Sequence, residues 1–74
     1  MTTRVPVGPY MEAERDGSGL WVSIYNKKHG SDLGFFEWYA PWRCWVFSPE
    51  TGTVFNDGCL RALADFSKTL GGKP

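Results

Sequence analysis

The sequence predicts an α+β fold: an antiparallel β-meander of four to five strands with one C-terminal amphipathic helix packed on one face. Three observations carry this. Short segments alternate apolar and polar residues with a period of two, as half-buried strands do. Clusters of Gly, Pro, Asn, Asp and Ser separate them, and such clusters make turns. Only one segment, Cys59 to Leu70, repeats with the period of a helix. The chain has 74 residues, enough for a single small domain over 1–74.

The elements follow in chain order. Residues 1–9 contain Pro6, Gly8 and Pro9 and are expected to form a flexible N-terminal tail. Tyr10 to Arg15 sets Met11 and Ala13 against Glu12 and Glu14, a strand pattern. Asp16-Gly17-Ser18-Gly19 reads as a hairpin turn. In Leu20 to Asn26, Leu20, Val22 and Ile24 oppose Trp21, Ser23 and Tyr25, the clearest strand of all. "KKHGSD", Lys27 to Asp32, is a polar loop with a basic tip. "LGFFEWYA" reads as a third strand, stopped at Ala40-Pro41 because proline cannot donate to a ladder. "WRCWVFS" reads as a fourth, Ser48 to Gly52 as a turn, and "TVF" as a short fifth. Asn56-Asp57 offers an N-cap for the helix. On that helix Cys59, Ala62, Leu63, Phe66 and Leu70 share a face, with Leu60 at its edge. Lys68 suits the last turn, and Gly71-Gly72 ends the helix.

The segment "FFEWYAPWRCWVF" holds seven of the chain's twelve aromatic rings. Period two divides them. Phe35, Glu37 and Tyr39 oppose Phe36, Trp38 and Ala40; Trp42, Cys44 and Val46 oppose Arg43, Trp45 and Phe47. A one-residue slip of register only exchanges the two sets, so no register gathers all rings on one face. A helix of this length is a rod about 18 Å long and 10–12 Å wide. A four-stranded sheet is roughly 19 Å across. One helix therefore covers about half to two-thirds of one face, and the other face keeps aromatic residues. The expected partner-binding residues are Trp21, Tyr25, Trp38, Trp42, Arg43 and Trp45, of the types enriched at binding hot spots.

Charge is balanced at eight basic and eight acidic residues. The middle of the chain, 31–58, carries one basic residue against four acidic ones. This pattern excludes the basic stripe of a duplex binder and the strong negative charge of a nucleic-acid mimic. No apolar run reaches the length of a signal peptide or a membrane span, so a cytoplasmic protein with reduced cysteines and no membrane partner is expected. Cys59 falls at a helix N-terminus, where a thiol pKa can drop, and His29 is the only histidine. Cys59 also lies on the apolar helix face, where a free cysteine behaves as a small hydrophobe. No catalytic residue is assigned. The two cysteines and one histidine lack ligand spacing, so neither metal nor cofactor is expected. A Cys44–Cys59 disulfide is left open by the sequence.

"GFFEW", Gly34 to Trp38, resembles the end of the RNA-recognition-motif and cold-shock signatures. That resemblance implies bases stacking on Phe35, Phe36 and Trp38; a single-strand binder built this way would set Lys27, Lys28 and Arg43 near phosphates. The chain departs from the pattern in Ser31-Asp32-Leu33, which precede the match, and in its single helix. Trp21 and Trp42 with Tyr25 and Asn26 between them resemble a WW domain, but Trp45 stands where its closing proline would fall. The favoured expectation is a non-enzymatic protein-binding module, with a protein partner or a second copy on an aromatic sheet face. Size and the lack of catalytic groups also suit a small phage or mobile-element inhibitor, of which anti-CRISPR proteins are one class. The alternative is single-stranded nucleic-acid binding by stacking.

Overall fold

A computed structural model describes residues 4–72. Five strands, β1 (Arg4–Val7), β2 (Met11–Arg15), β3 (Trp21–Asn26), β4 (Asp32–Tyr39) and β5 (Cys44–Pro49), precede one helix, α1 (Asp57–Lys68). The strands form one antiparallel sheet in the order β1-β2-β3-β4-β5, so every neighbour in space is a neighbour in sequence. The α+β meander with a single C-terminal helix is the observed fold.

The fifth strand is not where the sequence placed it. Arg4–Val7, inside the expected tail, pairs with β2 and buries Val7 in the core; residues 1–3 of that tail lie outside the described residues. Proline at position 6 hid the strand. It is tolerated because β1 is at the sheet edge, where one side of the strand needs no donor. "TVF" has no strand partner: residues 53–56 climb from the sheet to the helix, and the Phe55 ring packs edge-on against Phe47, 5.6 Å between centroids.

β5 also begins later than expected. Trp42 and Arg43 belong to the β4–β5 turn. Their backbone N–H groups donate to the Tyr39 and Ala40 carbonyls at 3.2 Å each, and Arg43 takes a left-handed conformation with φ 51°. In the β2–β3 turn, the Asp16 carboxylate accepts from the Ser18 hydroxyl at 2.8 Å and the Gly19 N–H at 3.0 Å. In the β3–β4 turn, Asn26 Oδ1 accepts from the backbone of Lys28 and His29.

The helix starts where its cap permits. Asn56 has extended backbone geometry, and its side chain accepts from the Cys59 N–H at 2.9 Å. Leu63 is buried, while Cys59, Ala62, Phe66 and Leu70 pack around the core, as the helical periodicity predicts. Leu60, at the edge of that face, is exposed. The helix lies on the side of the sheet that carries Val7, Met11, Ala13, Val22, Ile24 and Phe36.

An irregularity between Ile24 and Tyr25 adjusts this face. Ile24 pairs with Gly34 but Tyr25 with Asp32, so Leu33 is an extra residue and turns into the core. Gly34 is buried with φ +146°. An added Cβ there would collide with Ser48 O and lie 2.7 Å from Phe47 Cζ. The absent side chain makes room for the Phe47 ring to cover this strand.

Candidate interaction face

The register sorts the aromatic rings between the two faces. On the helix side, Phe36 meets Phe47 and Phe66 with centroids 5.1 and 5.8 Å apart. Trp38 and Trp45 pair opposite each other and meet edge-on at 5.9 Å. The Trp45 indole N–H donates to the Gly71 carbonyl at 3.2 Å, tying the end of the helix to β5, and Arg15 lies over the same ring.

The other face has no layer over it among the described residues. Its residues follow from the pairing: Arg4 opposite Glu14, Glu12 opposite Tyr25, Ser23 opposite Phe35, Trp21 opposite Glu37, Glu37 opposite Val46, and Tyr39 opposite Cys44. Trp21 and Phe35 pack at 5.1 Å. Tyr39 meets Trp42, reaching back from the turn, edge-on at 4.9 Å. Trp42 is 71% exposed, Trp21 44% and Tyr39 39%. At about 200–250 Å² per ring, these three leave roughly 300–400 Å² of ring surface to water. Exposed apolar surface of about 300–400 Å² matches the largest patch of a typical monomer, and such patches are often functional.

The six residues expected at a binding site therefore do not form one cluster. Trp21 and Tyr25 stand on the open face, and Trp42 and Arg43 are in the turn at its end. Trp38 and Trp45 belong to the helix side. The open face adds Phe35, Glu37 and Tyr39, which the alternation had already grouped, and Arg4, which was hidden in the supposed tail. The three rings proposed for base stacking divide as well: Phe35 is on the open face, whereas Phe36 is buried under the helix and Trp38 shares its side.

The open face is acidic. At its β1 end, Arg4 donates to Glu12 at 2.8 Å and Glu14 at 3.3 Å, with its guanidinium 4.3 Å from the centre of the Tyr25 ring. The Glu12 hydrogen bond, and after it that to Glu14, raises the Arg4 pKa above its ordinary value. Glu37, half-buried in the middle of β4, makes no side-chain hydrogen bond or ion pair with the described residues. A shallow trough of about 310 Å³ beside Trp21, Ser23 and Phe35 is rimmed by Asp16, Asp32 and Glu50 and by no cation. The Ser18 hydroxyl, then backbone N–H groups of the turn, hold the Asp16 carboxyl below its ordinary value.

The remaining candidates are scattered. A larger groove of about 580 Å³ runs between β1 and α1, apolar at Val5, Val7 and Phe66 with Arg61 and Asp65 on its rim. Cys44 is on the open face and Cys59 on the helix, and both are free thiols. No hydrogen bond joins Cys59 to His29. No group of three or more potential metal ligands occurs among the described residues, and no described helix is long and apolar enough to cross a membrane. No protein-family model, curated protein or solved structure matches the chain.

Proposed function

We propose that this chain is a non-enzymatic binding module that docks a partner protein on the open face of its sheet. One observation carries the reading: a sheet face with no covering layer among the described residues displays Trp21, Tyr39 and Trp42 to water beside Phe35 and Tyr25. Rings of this kind provide large contact area for few frozen rotors, which is why they dominate binding hot spots. A small phage or mobile-element inhibitor that occludes a host protein would use a face of this type. The non-enzymatic reading is supported by Cys59, which packs against the core as a small hydrophobic residue would. The acidic residues around the rings weigh against a nucleic-acid backbone, as does the division of Phe35 from Phe36 and Trp38.

The test compares Trp21→Ala and Trp42→Ala with Leu60→Ala, an exposed position on the outer side of the helix. A partner captured by the wild-type chain is identified, purified and titrated against each variant. Loss of at least tenfold in affinity for the two tryptophan variants, with cooperative unfolding retained and Leu60→Ala unchanged, supports the docking face. Equal affinity of all three overturns it. Light scattering over a wide concentration range separates a foreign partner from a second copy: a monomer supports the former, and a dimer disrupted by Trp42→Ala overturns it.

A further inference from the structure

The two ends of the open face hold the same kinds of group in different states. At the β1 end the protein supplies its own cation. The Arg4 guanidinium lies over Tyr25 and between Glu12 and Glu14. Ring stacking and charged hydrogen bonding act together there on one planar group, a combination that guanidinium suits better than ammonium. Toward β4 the ring and the carboxylates recur without the cation. Glu37 stands directly opposite Trp21 in the register, half-buried and without an ionic partner among the described residues. On its other side is the apolar Val46, and Tyr39 with Trp42 closes the end of the face. Asp16, Asp32 and Glu50 add negative charge along the adjoining trough.

We infer that the open face recognises an arginine side chain of the partner protein, which pairs with Glu37 and stacks on Trp21. This deepens the docking reading above and rests on it. The partner is thereby a protein with a basic, arginine-bearing surface, and the surrounding carboxylates steer it onto the face. A second copy is the poorer occupant, because like faces would set Glu37 and its acidic neighbours against their own kind. An ammonium forms no planar stack on the indole, so lysine binds more weakly at this position.

The experiment titrates the ¹⁵N-labelled protein with the blocked peptide Ac-(Gly-Arg)₄-NH₂. Two counterparts carry lysine or citrulline, the neutral isostere of arginine, in place of each arginine. The expected result is movement of the Trp21 indole and Glu37 backbone resonances with the arginine peptide. Affinity should be at least tenfold weaker for citrulline, severalfold weaker for lysine, and lower as salt is raised. Glu37→Gln should lose at least tenfold in arginine-peptide affinity. Asp65→Asn, which removes the same charge from the helix, should not. Shifts spread over the surface, or equal losses for the Glu37 and Asp65 variants, overturn the inference. So does equal binding of the arginine peptide and either counterpart. If the citrulline peptide moves the same open-face resonances with the same affinity, the docking face stands and the guanidinium assignment falls. If the captured partner moves no open-face resonance, the docking reading itself falls.

Discussion

Adding one methyl group at Gly34 should remove a large part of this protein's stability. The Cβ of Gly34→Ala would collide with Ser48 O and lie 2.7 Å from Phe47 Cζ and 2.9 Å from Pro49 Cα. Two of those atoms are backbone of the paired strand β5, so turning the Phe47 ring relieves only one contact. The positive φ of +146° adds conformational strain for any residue with a side chain. Overpacking costs about 1–3 kcal/mol and a strained backbone about the same, giving roughly 2–6 kcal/mol together. A domain of this length has about 4–11 kcal/mol in total. The control is Gly52→Ala. Its φ is +84°, but nothing lies within 4 Å of the added Cβ, so only the strain, about 1 kcal/mol, applies. Urea unfolding followed by tryptophan fluorescence reads the difference, with equal slopes required for a fair comparison. Gly34→Ala should lose about 1–5 kcal/mol more than Gly52→Ala, or fail to fold. A loss under about 1 kcal/mol, or one no larger than that of Gly52→Ala, would refute the close approach of β4 and β5 at this point.

Two further outcomes follow from the same structure. Leu63, 4% exposed under the sheet, should cost about 2–5 kcal/mol on truncation to alanine, whereas Leu60, 56% exposed one turn earlier, should cost under about 0.5 kcal/mol; similar values for the two in urea unfolding would mean that the helix presents another face. Asp16 has a carboxyl pKa held below 3.8 in the folded turn, so its contribution is present above the unfolded value and is lost as pH falls through the lower, folded one. A ¹³C carboxyl titration should place its midpoint below 3.8, and Ser18→Ala should move that midpoint upward; no movement would show that the Ser18 hydroxyl is not the main cause.

Much of this protein was set by local rules that the sequence displays. Alternation fixed which residues share a face within each strand, because successive side chains in a strand point to opposite sides. It grouped Phe35, Glu37 and Tyr39 against Phe36 and Trp38. Helical periodicity chose the buried face of α1, and Asn56-Asp57 offered its cap, of which the fold uses Asn56. Tertiary structure decided the rest. Parity says that two faces exist but not which one a helix will cover, and that choice sent Trp38 and Trp45 inward and left Trp21 and Trp42 out. The partner of a strand is also non-local. Arg4–Val7 reads as a tail by Pro6 and the Gly8 and Pro9 that follow it, and becomes a strand because β2 offers it an edge and the core a place for Val7. That strand carries Arg4 to Tyr25, Glu12 and Glu14. The chemistry of the open face therefore depends on cross-strand neighbours far apart in sequence, which only the folded register brings together.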